Sequence, residues 1–158
     1  MHRNLTLTNL TLTAFSHSTE DPAKVKQAVL NLLPPELRSG VIIEEQVAKG
    51  HYGNPIILIT FRLKERESEV LAFKHVVCSL AVVDRSLLMA TLPRRVGAKN
   101  SVIHLRLSKQ EALLGRAILM DGDDVVRLSA TVIGVRRVED LIKYMEGVMR
   151  ECEQGTLT

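Results

Sequence analysis

Tryptophan is absent from this sequence, and three Phe and two Tyr are its only aromatic residues. A core built almost without rings must come from Leu, Val, Ile and Ala. A single-stranded nucleic-acid binder that relies on base stacking is hard to assemble from Phe15, Tyr52, Phe61, Phe73 and Tyr144 alone. Cysteine is nearly absent too. Cys78 and Cys152 stand far apart with no CxxC spacing. That argues against a disulfide framework or zinc ribbon and for two unlinked thiols in a reducing cytoplasm. Long apolar runs are missing: none reaches the ~20 residues that span a bilayer, and the N-terminus lacks a signal-peptide core. No membrane partner is expected.

Catalytic and metal signatures are also lacking. There is no G-x-S-x-G elbow, no Walker A loop and no GxGxxG. His17, His51, His75 and His104 fall on four separate segments with no HxxxH or HEXXH spacing, so no metal or cofactor is expected. The three carboxylates of Asp121-Gly122-Asp123-Asp124 lack the ligand pattern of a calcium loop and read as a tight turn.

What is present suits one domain. A chain of 158 residues, 46% hydrophobic and 25% charged, can bury a core without staples. We take residues 1–158 as a single unit, with 1–9 and 153–158 free to fray. The net charge of +3 is mild, but its distribution is not. Residues 91–116 carry Arg94, Arg95, Lys99, Arg106, Lys109 and Arg116 against Glu111 alone, and the remainder is slightly acidic. A concentrated basic stretch on a near-neutral body suggests a polyanion-facing surface, with a merely solvated face as the competing explanation.

Local patterns give an order of elements. NLTLT occurs at 4–8 and again at 9–13. Alternating Leu and Thr predicts a strand, but the odd repeat length turns the second pair of leucines to the opposite face. A bulge or break near Asn9 is therefore expected, or a frayed first half with the strand proper over 10–17. Asp21 and Pro22 open an amphipathic helix carrying Val25, Ala28, Val29, Leu32 and Leu33, stopped by Pro34-Pro35. Residues 41–47 and 56–63 read as a hairpin, 65–83 as a helix and 84–92 as a further short one. Residues 101–107 alternate again, and Ser108 to Glu111 form a capping box. Residues 116–120 and 125–135 read as strands paired around Asp121-Gly122. A last helix runs from 137 to about 152. The expected fold is α+β: one layered domain, a largely antiparallel sheet with helices packed on it.

The hairpin loop Lys49-Gly50-His51-Tyr52-Gly53-Asn54-Pro55 admits three readings: a partner grip, an active-site loop, or a long turn. Arg106, Lys109, Arg116 and Arg127 lie on successive elements that a fold can gather with Arg94 and Arg95. Guanidinium forks suit phosphates, although such residues on strands also guard against edge pairing.

Three segments in this order, TEDPAKVKQAVLNLLP, KGHYGNPIILI and LRLSKQEALLGRAILMDGDDVVRLSATV, together carry a resemblance over nearly the full chain. The sequence resembles an archaeal family of predicted RNA-binding, exosome-associated proteins, whose fold is similar to the large-subunit ribosomal protein that holds 5S rRNA. The motif positions are His51 to Pro55, Lys109, Gln110, Asp121 to Asp124, and Arg127. The resemblance implies an α+β RNA-binding-type fold, in a group for which no catalytic activity is established.

The resulting expectation is a non-catalytic, cytoplasmic RNA-binding protein, accessory to RNA processing or the exosome. Its contacts would come from Lys49, His51, Tyr52, Asn54, Arg94, Arg95, Lys99, Arg106, Lys109, Arg116 and Arg127. With so few rings, structured or double-stranded RNA read by shape and phosphates is the expected ligand. Two alternatives stand beside it. One is a protein-interaction module or homodimer using a strand edge or the apolar stretch 82–92. The other is a small-molecule enzyme using His51 with Asp123 or Asp124.

Overall fold

The computed structural model describes residues 5–49, 53–97 and 101–155. The first strand, β1 (Thr6–Ser16), resolves the parity problem of the leucine repeat with a bulge. Asn9 takes the left-handed conformation at φ 52°, which its short polar side chain tolerates better than most. Pairing with the sixth strand jumps from Thr8↔Thr131 to Thr11↔Ser129, one extra residue on β1. Leu7, Leu10 and Leu12 therefore all point into the core. The bulge frees the Leu10 amide from the ladder, and the buried Glu69 takes it: N–H to Oε2 is 2.6 Å, while Thr8 Oγ1 donates to Oε1 at 3.4 Å. Glu69→Ala leaves a buried donor without an acceptor, so we expect a loss of about 1–3 kcal/mol. Urea denaturation against Glu69→Gln, which retains an acceptor, checks this. Equal midpoints for Glu69→Ala and wild type would refute it.

Helix α1 (Pro22–Leu32) begins where the sequence indicates, with the Asp21 carboxylate accepting from the Ala23 amide at 3.0 Å. Strands β2 (Ile42–Lys49) and β3 (Pro55–Arg62) form the expected hairpin. Helix α2 (Arg66–Ser79) stops short of Val83. Leu80 turns out of the helix at ψ 145° to seat its side chain in the core, and Ala81 after it is exposed. The chain restarts as α3 (Val82–Ala90) and continues through a 3-10 turn over Leu92–Arg95 into the two-residue β4 (Val96–Gly97). Strand β5 (Val102–Ser108), the five-residue α4 (Lys109–Leu113), β6 (Val125–Ile133) and α5 (Val138–Gln154) complete it.

Two expectations need correcting. Residues 116–120 are not a strand paired to β6. They run along the outer edge of β5 instead, where Ser108 N donates to Ile118 O at 2.8 Å and Met120 N to Arg106 O at 3.0 Å. Tertiary pairing outweighed the local Asp-Gly signal. The cysteines are not unlinked: Cys78 on α2 and Cys152 on α5 form a disulfide, their Cα atoms 5.1 Å apart. Two helices packed side by side bring together residues 74 apart in sequence.

The sheet is antiparallel throughout, in the order β2-β3-β1-β6-β5-β4. α1 and α2 lie against β1, and α5 packs on α2 and α3. One face of the sheet is core, with Leu12, Ile59, Phe61, Ile103, Leu105, Leu128 and Ala130 essentially inaccessible. This α+β arrangement is the expected one. Among the described residues, no helix is long and apolar enough to cross a membrane.

Candidate nucleic-acid interface

The strand period of two places every second residue on the opposite, open face, and the register sets them in rows. One row runs Arg62, Thr11, Ser129, His104; the next runs Thr60, Thr13, Arg127, Arg106. Hydroxyls line the middle of this face and cations collect on the β6–β5 side. On the β2–β3 side Arg62 is held by Glu44 at 3.4 Å. Arg106 and Arg127 are directly opposite one another, an arrangement that ordinarily destabilises a sheet.

The open face is bounded at β5 by the end of α3, by the turn after it, and by the segment that leads to Asp121. Together they enclose a cleft of about 540 Å³. Into it come Arg94, Arg95, Arg106 and Arg127, with His104 on its floor and Asp121 at its rim. Arg95 is positioned by a relay in which its Nε donates to Thr91 Oγ1 at 2.8 Å and that hydroxyl donates to Leu87 O at 2.7 Å. Burial depresses the Arg95 pKa, with Asp121 opposing and Arg94 and Arg106 adding to the effect, yet a guanidinium stays charged. His104 exchanges a hydrogen bond with Ser129 Oγ at 2.9 Å, and Gly97 leaves room for its ring: a Cβ there would sit 3.1 Å from Nε2, tighter than an ordinary contact. Burial, then the charges of Arg127 and Arg106, lower its pKa below the ordinary histidine value. Among the described residues no carboxylate forms an ion pair with Arg94, Arg106 or Arg127.

Residues 9–132 match the family model described as RNA binding. The chain belongs to that family. The RNA-binding protein PAB1135 of Pyrococcus abyssi is 29% identical over 125 residues, 78% of this chain and 80% of that protein. The crystal structure of AF2318 from Archaeoglobus fulgidus superposes with a TM-score of 0.76 at 28% identity, covering 92% of this chain and 99% of that one. Mth689 from Methanothermobacter thermautotrophicus gives 0.71 at 25% identity over 90% and 97%. Both are described as DUF54 proteins. The archaeal RNA-binding family read from the sequence motifs is thus the right one.

Within this family member the expected contact residues part company. Arg94, Arg95, Arg106 and Arg127 converge on the cleft. Lys49 and Asn54 are exposed at the end of the β2–β3 hairpin, on the far side of the sheet from β5. His51, Tyr52 and Lys99 lie outside the described residues. Arg116 is exposed but paired with Glu111 at 3.0 Å. Lys109 is the clear departure from a surface contact, with a side chain only 4% exposed. Its Nζ donates to Phe15 O at 2.8 Å and pairs with Glu20 at 2.9 Å and Asp124 at 3.0 Å. Sequence reasoning also missed Leu87, Leu119, Met120 and Asp121 as cleft residues, because only the lie of 116–120 along β5 brings three of them there.

Lys109 ties the end of β1 to the turn before β6. Burial alone would raise the Asp124 pKa, but hydrogen bonds from Lys109 and Gln110, with the charge of Lys109, hold it below the usual carboxylate range. A depressed carboxyl contributes stability above its unfolded pKa of about 3.9, and that stability fades as pH falls through the lower folded value. We expect Lys109→Met to lose about 2 kcal/mol near neutral pH, less than for a fully buried pair because both carboxylates are part-exposed. RNA affinity of the folded variant should be unchanged, which chemical denaturation and a binding isotherm check together.

Proposed function

We propose that this chain is a non-catalytic, cytoplasmic RNA-binding protein that holds the sugar–phosphate backbone of structured or double-stranded RNA against its open sheet face. The observation that carries this is the register pair Arg106↔Arg127, with Arg94 and Arg95 in the same cleft. Like charges set directly opposite, with no carboxylate paired to either among the described residues, carry a cost that an anionic ligand relieves. The threonine and serine hydroxyls beside them can reach phosphate oxygens and 2′-hydroxyls. The name of the Pyrococcus relative and the family both favour RNA over other polyanions. The disulfide is compatible with a cytoplasmic setting, since intracellular proteins of hyperthermophilic archaea carry them.

A salt titration of binding to short double-stranded and single-stranded RNAs tests this. The reading expects a steep fall in affinity with salt, with the duplex bound more tightly. No binding to either RNA at low salt would end it. A second reading, an interaction module or homodimer accessory to an RNA-processing complex such as the exosome, draws on β2. All eight of its residues are exposed, including Ile42, Ile43 and Val47, and its outer edge is unpaired among the described residues. The enzyme reading gains nothing from Asp124, whose carboxylate is occupied by Lys109 and Gln110.

A further inference from the structure

We infer that the cleft takes one unpaired ribonucleotide of the bound RNA, with its phosphate on Arg106 and Arg127 and its base against the wall formed by Leu87, Leu119 and Met120. The inference rests on the RNA-binding reading above and assigns the cleft a task that backbone contacts alone do not require.

Three chemistries meet there. The paired guanidiniums supply a site for one phosphate. The wall supplies an apolar surface: Leu87 is 47% and Met120 41% exposed, and both line the same cleft as the arginines, with Leu119 beside them. A phosphate has no use for such a wall, whereas the face of a base does. Asp121 is the third element. A carboxylate beside four arginines repels a phosphate, so it weakens a site built for backbone alone. It is the right group to accept hydrogen bonds from the amino edge of a base. A volume of about 540 Å³ is within the range of small-molecule pockets and accommodates a single nucleotide.

A base inside a duplex stack cannot enter a cleft at the edge of the sheet, so the nucleotide must be unpaired, at a bulge or an end. The scarcity of exposed rings does not oppose this. Guanidinium planes also stack on bases, and four line the cleft. The carboxylate further predicts a preference. Adenine, cytosine and guanine present an exocyclic amino group to Asp121, and uracil does not.

The test compares a short fully paired RNA duplex with the same duplex carrying one bulged A, C, G or U. Wild-type protein and Asp121→Ala are measured at one salt concentration, with free nucleoside monophosphates as competitors. The expected result is that an amino-bearing bulge binds about tenfold tighter than the paired duplex. The bulged U should bind less well than the other three. Asp121→Ala should level the four bases, while affinity for the paired duplex should hold or rise, because a carboxylate that repels phosphate is removed. Equal, salt-sensitive binding of all five RNAs overturns the inference and leaves the RNA-binding reading standing. Displacement by free nucleotide as effective as by bulged RNA also overturns it, since the cleft would then be a small-molecule site. Failure of every RNA to bind at low salt removes the underlying reading itself.

Discussion

Replacing Arg106 and Arg127 together by Ala will reduce RNA affinity on the order of 100-fold near physiological salt, without lowering the stability of the fold. Each guanidinium is exposed on the open face, and each lacks a carboxylate partner among the described residues. A charge-assisted contact to phosphate is worth roughly 1.5–3 kcal/mol before losses to solvent and side-chain ordering, so two contacts support a change of that size. The slope of log affinity against log salt should fall by about 0.7–0.9, since the pair holds one phosphate and each phosphate neutralised contributes roughly that much. The unfolding midpoint should hold or rise slightly, because the variant removes a like-charged cross-strand pair that costs about 0.2–1 kcal/mol. This opposition of signs is the useful part. A residue that merely supported the fold would lose stability and binding together. Arg116→Ala is the control: it is just as exposed but engaged with Glu111, so its affinity change should stay within about twofold. Loss of affinity with an unchanged salt slope would mean that the arginines act on something other than phosphate.

How much of this was legible beforehand depends on whether the signal is local. The helix capped by Asp21 was plain because capping, proline at its start and 3.6-residue spacing all agree over one short stretch. The irregularity at Asn9 followed from parity alone, since no regular strand can bury leucines five apart on one face. The buried acceptor that makes the bulge tolerable, Glu69, lies 59 residues from Leu10 and gives no sign of itself in sequence. The same division holds at the interface. Charge counting found Arg94, Arg95, Arg106 and Arg127, but it also admitted Lys109, because it cannot distinguish a solvated cation from one buried among Glu20, Asp124 and a backbone carbonyl. Asp121 was assigned to a turn. It faces the arginines only because 116–120 pairs along the edge of β5 rather than returning on β6.

The cysteines show the same limit with the larger energetic consequence. Their spacing of 74 residues, which made a linkage look improbable, is what makes it effective. Closing a loop of that length removes enough freedom from the unfolded chain to contribute about 4 kcal/mol in the chain-entropy account. For a protein of this size each kcal/mol is worth roughly 2–4 °C, so reduction should lower the melting temperature by about 10 °C or somewhat more. The folded state should survive the loss. Leu141, Met145 and Val148 of α5 remain fully packed, and Lys74 still pairs with Glu151 at 2.8 Å one residue from the bridge. None of the cleft arginines lies on α2 or α5, so RNA affinity below the transition should be the same with and without reductant. Thermal melts of oxidised, reduced and Cys152→Ser protein, each followed by an RNA isotherm, separate the two quantities. A melting temperature indifferent to reduction would show either that the thiols are unlinked in solution or that the unfolded chain is held together by other means. Titrating free thiols in the native protein decides between them.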